Sequence, residues 1–523
     1  MTGYKPTEIL LSTGKGKVEV GNLYLSESGA LDEVTVTTQA VIDARGRTIV
    51  FPSEGEIKAS PTAISLFQKL PLAGLTANPI SRNLSIDGGM PIILIDGIPS
   101  TMDDVNALRP KDIARIEYSR MTPARYADRG GNGLIAIVLK KRDDGGSVYL
   151  YGRSAVNTAF VDASVAASYH QGPSQFRISY VPSWRNYQSV YDDASESYIA
   201  PDFRVNLESH DRNPFDYLTN NLSVKYIYSP KESLVFSAAV NTGLSNAHRR
   251  IIRSSSDSQL GEYDSRDYSE SREDAPSLDL YLRRDFNERN SLEAQVVGTL
   301  GFDSYLRDNQ YYLDDDNTER FLNEVDSRRR SLIAEISYTH SFNDNTSLSG
   351  GFQNTLSHSS NTYAKSDFRP ILTENNNYVY AKFSHRIKKV FLSLSTGAKM
   401  YWVKNDMNSR TFIKNRSTAQ ATYNINQKWG MQFAFSYAPQ IPSLSELTDY
   451  PQQSTPYLVS NGNPSLKVAD YFVCQFMPSY SGKLFYAAML LTYRNSVNAT
   501  FNDGSYIGDG RFLSQTVNAR HMN

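Results

Sequence analysis

VDASVAASYHQGPSQFRISYVPSW, residues 161–184, alternates apolar and polar side chains on both sides of a short turn. In the first half Val161, Val165 and Tyr169 share one parity, while polar residues such as Asp162 take the other. Successive side chains of a β-strand point to opposite faces, so a strand between lipid and water shows this period of two. The stretch therefore predicts two antiparallel strands, each with one apolar and one polar face.

The same alternation recurs through residues 146–523, in about sixteen segments long enough to span a bilayer. Short turns join the segments at one end. Long polar connections join them at the other end, at about 187–219, 243–275, 302–329, 355–376 and 439–469. Bacterial outer-membrane barrels have this asymmetry. A soluble β-sandwich would also alternate, but its strands are usually shorter. We therefore predict a mainly β protein with a transmembrane antiparallel β-barrel.

Composition excludes several other classes of protein. The chain has 523 residues and a net charge of −1, so it lacks the basic surface of a nucleic-acid-binding protein. Its single cysteine, Cys474, excludes an intramolecular disulfide framework. The seven histidines show no metal-ligand spacing, and Asp314–Asn317 lacks the glycine and distal glutamate of a calcium loop. We expect no catalytic residue, no metal and no cofactor.

Residues 31–143 combine helix and strand signals. Ser60 followed by Pro61 predicts a helix start, with the N-cap and the first helical position in order. The apolar run Pro91–Pro99 predicts a buried strand that ends in a glycine turn, and the glycines of Arg129–Gly133 predict a tight turn before a last strand. This zone is therefore predicted to be a compact α+β domain.

Four motifs of this zone resemble the plug domain of TonB-dependent outer-membrane receptors in their order and spacing. They are ILIDGIP at 93–99, DIARIE at 112–117, PARYA at 123–127 and GGNGLIAIVLKK at 130–141. The stretch between the second and third motifs departs from the family, which usually has a short apolar-Arg-Gly-Pro sequence there. The resemblance implies a plug inside the barrel, with motif positions Asp96, Gly97, Arg115, Glu117, Arg125, Gly130, Gly131 and Gly133.

A second stretch, Leu31–Thr37, resembles a TonB box, the segment that pairs with the energy-coupling protein TonB. Its candidate residues are Glu33, Val34, Thr35, Val36 and Thr37. A β-branched segment of this kind offers its backbone to the edge of a partner sheet. Because β propensity over a few residues is common, an ordinary plug or linker strand remains the alternative.

The resemblance also implies a domain order. Residues 1–30 are similar to the end of a carboxypeptidase-regulatory-like β domain, 31–143 to the plug and 144–523 to the barrel. Two barrel stretches, at 441–447 and 462–467, resemble receptors of the Bacteroidetes type. Barrels of the family have twenty-two strands, whereas about sixteen strands are recognised here. The chain is therefore expected to be a fragment, with a C-terminally incomplete barrel and an open wall.

As a member of this family the chain would import a scarce nutrient, such as a siderophore, haem, a glycan or a peptide, by ligand-gated plug movement. Its implied partners are TonB, outer-membrane lipid, the nutrient and a surface lipoprotein, with no nucleic acid. A non-transporting outer-membrane barrel for adhesion or assembly is the alternative.

Two groups of side chains are candidates for the mechanism. Plug residues Arg115, Glu117 and Arg125 are expected to face lumen charges, drawn from Lys225, Arg283, Glu335 and Lys399, and the pairing is open. These contacts are expected to hold the plug until TonB pulls; plain solvation in a wet lumen is the alternative. Aromatic rings in the long connections suit stacking on a ligand, although tyrosine is frequent throughout the chain. The ring candidates are Tyr187, Tyr191, Tyr198, Tyr311 and Tyr312.

Overall fold

A computed structural model describes most of the chain from residue 40 onward. The described residues are 40–44, 47–120, 122–123, 125–126, 131–140, 144–155, 159–231, 233–314, 317–364, 369–405, 409–426, 428–447, 449, 451–453, 455–481 and 486–522. The segment 1–30, the TonB-box candidate at 33–37 and Gly130 lie outside these residues, so they stay predictions.

A six-stranded mixed sheet forms the centre of the plug. Its order is β1-β2-β7-β8-β5-β6, with β5 and β8 the parallel pair, and β3 and β4 form a separate hairpin. The elements are β1 (Ala40–Ala44), β2 (Arg47–Phe51), α1 (Glu54–Lys58), α2 (Ala63–Phe67), β3 (Leu75–Asn78), β4 (Asn83–Ile86), β5 (Ile92–Ile95), β6 (Ile98–Ser100), α3 (Met102–Asn106), a 3₁₀ turn (Pro110–Asp112), β7 (Ile113–Ser119) and β8 (Leu134–Leu139). The predicted α+β architecture is observed.

Each plug helix begins with a capping box, in which a side chain satisfies a free backbone N–H. The helix predicted to start at Ser60 and Pro61 starts two residues later. Thr62 is its N-cap, because the Thr62 hydroxyl accepts from the Ser65 N–H at 3.1 Å and the Ser65 hydroxyl accepts from the Thr62 N–H. The apolar face of α2 is fully buried against the sheet, which gives the plug a hydrophobic core of its own.

The remaining elements belong to the barrel. They are β9 (Gly145–Ser154), β10 (Ala159–Gln171), β11 (Ser174–Tyr187), β12 (Tyr191–Ala200), β13 (Phe203–Arg212), β14 (Phe215–Lys231), β15 (Leu234–Asp257), β16 (Gly261–Asp274), β17 (Ser277–Asn287), β18 (Asn290–Asp314), β19 (Asn317–Asn343), β20 (Thr346–Tyr363), β21 (Ile371–Ile387), β22 (Val390–Asn405), β23 (Ser409–Asn424), β24 (Trp429–Gln440), α4 (Leu444–Leu447), β25 (Gln452–Gln453), β26 (Leu458–Asn461), β27 (Ala469–Ser481), β28 (Tyr486–Ala488), β29 (Leu491–Gly508) and β30 (Arg511–Met522).

In the part of the chain that the structure describes, the barrel sheet contains 22 strands rather than about sixteen. Three of the additional strands, β25, β26 and β28, have two to four residues. Another three, β12, β13 and β16, pair beyond the wall. The other sixteen follow one another in continuous antiparallel ladders, β11 pairing directly with β14, β15 with β17, β24 with β27 and β27 with β29. The predicted number therefore matches the strands of the wall and misses the rest of the sheet.

The strand order of the sheet is that of a closed barrel with β30 next to β9, and the predicted open wall stays a prediction. In the described part of the chain, the residue-by-residue ladders run from β9 to β30, and none joins these two strands directly.

A distal sheet replaces three of the predicted polar connections. Strands β15, β18 and β19 have 24, 25 and 27 residues, far more than the ~9–11 that cross a bilayer. Their outer halves pair with β13, β16 and one another, and β12 pairs with β13. These segments were predicted to be loops because most of their residues are polar. In the structure one face of the distal sheet is nevertheless buried, with Leu207, Tyr263 and Tyr311 in one cluster.

The lipid-facing and lumen-facing parities agree with the prediction. Val161, Val165 and Tyr169 are 43%, 44% and 50% exposed on the outer face, whereas Asp162 and Ser164 between them are fully buried on the inner face. Among the described residues, no helix combines the length and the apolar character that crossing a bilayer requires.

Candidate functional site

The plug is fastened to the barrel by a buried arginine. Arg125 lies within the turn in which the Tyr126 N–H donates to the Pro123 carbonyl at 2.9 Å. Its guanidinium donates to Glu335 of β19 and to Glu293 of β18, and it lies 5.8 Å from the Tyr281 ring. Burial lowers the pKa of Arg125, but Tyr126 and the two glutamates outweigh burial, so the pKa is raised. The arginine therefore remains a cation inside the protein.

A second attachment joins α3 to β14. Lys225 lies with its Nζ 2.9 Å from Asp104 Oδ2 and 3.5 Å from the Ser100 hydroxyl. Burial raises the pKa of Asp104, but Lys225 and the Thr101 backbone N–H outweigh burial, so the pKa is lowered. The carboxylate is held in place by the capping box of α3, in which it accepts from the Thr101 N–H at 2.9 Å.

The third attachment is the turn between β3 and β4. Arg82 has a positive φ of 57°, and its guanidinium donates to the Ala163 carbonyl at 2.9 Å and to the Ser164 hydroxyl. The Ile80 carbonyl accepts from Arg153 at 3.2 Å, and Arg153 is itself paired with the buried Asp162 of β10. The turn is thus bound to the first two strands of the wall.

The aspartate–glycine motif forms the turn between β5 and β6, where both residues have positive φ. Asp96 accepts from the Leu139 N–H at 2.8 Å and lies 3.9 Å from Arg177 of β11, and the Gly97 carbonyl accepts from Tyr281 at 3.5 Å. The motif therefore shapes a plug turn that touches β11 and β17.

Other expected charge partners lie elsewhere. Arg115 and Glu117 pair with each other at 3.0 Å, and Arg47 of the neighbouring strand β2 also binds Glu117 at 2.9 Å. Of the lumen charges, Arg283 pairs with Asp285 of its own strand, and Lys399 lies over the Tyr401 ring. Within the predicted set, the structure brings together Arg125 and Glu335.

Sequence reasoning missed Asp104, Glu293, Tyr281, Arg82 and Asp162. Asp104 carried a usable signal, because it stands three residues after Thr101 in the spacing of a capping box.

Gly133 requires the absence of a side chain. Its φ is +73°, and a Cβ would lie 2.6 Å from the Ser119 carbonyl oxygen. Gly131 lies against Ile92, whose side-chain tip would overlap with a Cβ at this position. These glycines therefore permit close packing between the end of β7 and the entry to β8.

The five candidate tyrosines divide between packing and exposed positions. The Tyr198 ring packs at a tilt against Tyr457 and Phe512, with centroid distances of 5.4 and 5.5 Å, whereas Tyr311 is 3% exposed and packs against Tyr263. Tyr187 packs against Phe215, and Arg266 lies over the ring of Tyr312. Tyr191 is exposed. Their roles as ligand-binding residues stay predictions.

On the far side of the plug is a pocket of about 310 Å³. Plug residues Asp87, Arg120, Thr122 and Asn132 form one side, and β23, β24, β27 and β29 form the other. Among the described residues there is no group of three or more His, Cys, Asp or Glu side chains placed to hold a metal ion.

Comparisons with known proteins agree with this architecture. Residues 287–523 match the outer membrane protein beta-barrel family. A search of curated protein sequences gives no significant match to the chain.

Three solved structures are similar to this chain over 92% of its length. They are a variant of the ferric enterobactin receptor PfeA of Pseudomonas aeruginosa in complex with enterobactin (14% identity, 77% of that chain, TM-score 0.55), the copper transporter OprC (13%, 75%, 0.59) and the siderophore receptor PirA of Pseudomonas aeruginosa (12%, 80%, 0.50). At these identities the similarity establishes the fold. The chain is thus a multi-pass β-barrel of the outer membrane that has the plugged-barrel fold of the TonB-dependent receptors.

Proposed function

We propose that the chain imports a scarce nutrient across the outer membrane by TonB-driven movement of its plug. The observation that carries this proposal is the polar nature of the contacts between plug and wall. Three attachments use the charged side chains Arg125, Asp104 and Arg82. In the described part of the chain, the buried apolar contact between the two domains is a small cluster of Ile98, Ile227 and Tyr281.

Such contacts suit a domain that has to move. Charged and hydrogen-bonding groups released from the wall can bind lumen water instead, whereas buried apolar surface has no such substitute. The plug keeps a separate apolar core that includes Ile64, Phe67, Ile116 and Ile137. A pull on the N-terminal side would therefore break the polar attachments before it unfolds the plug core.

The nutrient class remains a small molecule or oligomer in this proposal: a siderophore, haem, a glycan or a peptide. The ligands of the similar structures, enterobactin for PfeA and copper for OprC, support import of a metal-linked nutrient. TonB, acting on residues 33–37, is the proposed source of energy, and a surface lipoprotein is a proposed partner at the outer face.

Uptake and surface binding separate the steps of this mechanism. In the full-length protein, Val34→Pro removes a backbone donor and disrupts strand addition to TonB. We expect normal binding of the nutrient to whole cells with uptake lost, and a matched Val34→Ile variant with both intact. Unchanged uptake in Val34→Pro would contradict the proposed coupling segment.

Adhesion or assembly without transport is the second candidate, and the distal sheet favours it. Strands of 24 to 27 residues extend well beyond a bilayer and offer a large outer surface. Loss of cell attachment when residues 191–212 are removed, with nutrient uptake intact in that variant and in Val34→Pro, would support this candidate instead.

A further inference from the structure

We propose that the pocket between the plug and strands β23, β24, β27 and β29 binds an anion, so that the imported nutrient carries carboxylate or phosphate groups. The inference rests on the proposed import function and adds the chemical class of the ligand and the side of the plug that it passes.

The first argument is the construction of the pocket wall. Thr418, Ser436, Val473 and Arg494 stand in one row across four strands, since each is the register partner of the next. All four line the pocket, together with Arg416, which is the next lumen-facing residue on β23. Neighbouring strands lie about 4.8 Å apart, so roughly 14 Å across the wall separates β23 from β29, the strands that carry the two arginines. They therefore flank the pocket, with hydroxyl groups between them.

The second argument is the charge of the pocket. Three arginines and one carboxylate, Asp87, line it. The carboxylate is already paired with Arg120, whose Nε donates to it at 3.0 Å. Among the described residues, neither Arg416 nor Arg494 has an acidic partner within ion-pair distance, so the pocket carries an excess of positive charge. Guanidinium groups bind carboxylates and phosphates through paired, charge-assisted hydrogen bonds.

Two arginines in the opposite half of the lumen are paired with carboxylates. Arg185 binds Asp162 at 2.7 Å, and Arg125 binds two glutamates. Arg416 and Arg494 on the β23–β29 side thus differ from these two arginines.

The third argument is the side on which the plug is fastened. Its described charged attachments reach β10, β11, β14, β18 and β19. The pocket lies on the other side, where a cavity of about 310 Å³ lies between the plug and the wall. Cavities of this size accommodate small ligands. A ligand that enters here would bind without first breaking the charged attachments, and the subsequent plug movement would widen this side.

The proposal predicts that the purified full-length chain, in a non-ionic detergent, binds anionic ligands but not a neutral one. Citrate and inorganic pyrophosphate are the carboxylate and phosphate probes, and maltotriose is the neutral probe, each measured by titration calorimetry. We expect at least one anion to bind, more weakly at high salt, and maltotriose not to bind. In Arg416→Gln/Arg494→Gln the anion affinity should fall by about tenfold or more, because both charged hydrogen-bond donors are lost.

The matched control is Arg272→Gln/Arg511→Gln, which removes the same charge outside the pocket and should leave the affinity within about twofold. If the double pocket variant does not fold, Arg494→Gln alone should still weaken binding. Equal affinity in the pocket variant, binding of maltotriose in preference, or no anion binding by the wild type would overturn the proposal. Because this assay contains no TonB, its failure is distinguishable from loss of energised uptake.

Discussion

Arg125 of the plug and Glu335 of β19, 210 residues apart in the sequence, form a buried ion pair between the two domains. The two residues are 8% and 4% exposed, and Glu293 binds the same guanidinium from the neighbouring strand. This contact is a polar link inside the lumen, so its removal should loosen the plug without unfolding the barrel.

Arg125→Met tests that link. The substitution leaves Glu335 buried without its cation, and breaking a buried pair from one side costs about 3–5 kcal/mol. We expect the urea concentration that releases the plug, measured as the rise in conductance of single barrels in planar bilayers, to fall clearly. Arg115→Met is the control, because that half-exposed arginine pairs within the plug, where such contacts contribute about 0–1 kcal/mol. Equal midpoints for the two variants would contradict the link.

Asp104 should make plug retention dependent on pH. Its pKa in the folded protein lies below the ordinary value of 3.8, because Lys225 and the Thr101 N–H outweigh burial. A lowered carboxyl pKa stabilises the folded state above the unfolded value, and the stabilisation is lost as the pH falls through the folded value. The difference in urea midpoint between wild type and Asp104→Asn should therefore be constant from neutral pH to about pH 4 and shrink below it.

The neighbouring carboxyl of Asp103 has a pKa shift in the opposite direction, so its effect on stability can be told apart from that of Asp104. Burial raises the pKa of Asp103, so proton uptake there stabilises the folded state as the pH falls, in both proteins. A wild-type advantage that already disappears between pH 7 and pH 5 would show that the contact of Asp104 with Lys225 is not its source.

Gly133→Ala should destabilise the plug more than Gly88→Ala. Both glycines have positive φ, 73° and 81°, so alanine is strained at either site. A Cβ at 133 would also meet the Ser119 carbonyl oxygen at 2.6 Å, whereas a Cβ at 88 would meet no atom within 4 Å. We expect faster trypsin cleavage of the plug in outer-membrane vesicles for Gly133→Ala. Comparable cleavage of the two variants would contradict the packing at β7.

Tyr457→Phe should loosen the long connection at 441–468. The Tyr457 hydroxyl donates to Asp257 at 2.6 Å in a buried position, and its ring packs on Tyr198. Hydrogen bonds to charged groups contribute about 1.5–3 kcal/mol, so local opening should rise about tenfold or more. Proteinase K digestion of intact cells measures this opening, with the exposed Tyr191→Phe as the control. Unaltered digestion of the connection would mean that the hydrogen bond does not hold it.

The wall of the barrel could be predicted because lipid and water impose a polarity on every residue of a spanning strand. Val165 and Ser164 are neighbours in the chain, yet one is exposed to lipid and the other is fully buried in the lumen. The distal sheet could not be predicted in the same way. Strand β16 reads GEYDSRDYSESRED, and this polar sequence is typical of a loop until its backbone partners on β15 and β18 are known.

The types of residue at the site could be predicted from the sequence, but the ion pairs that they form could be predicted only in part. Arg125 and Glu335 were expected on facing surfaces, but their pairing depends on the orientation of the plug in the lumen. Arg115 and Glu117 instead find partners on their own sheet, because Ile49 of β2 is in register with Glu117 and brings Arg47 close. Such choices follow from three-dimensional register, which alternation along one strand does not contain.

The central claim is that import requires the plug to move away from the wall at Arg125 and Glu335. Arg125→Cys/Glu335→Cys in a Cys474→Ser background allows these positions to be joined by a cleavable bifunctional thiol reagent in whole cells. Thr339→Cys/Ser349→Cys, which joins β19 to β20 and leaves the plug free, is the control. Energised uptake of the nutrient should stop when the plug is cross-linked, return when the reagent is cleaved, and continue in the control. Undiminished uptake with the plug fully cross-linked would contradict the account.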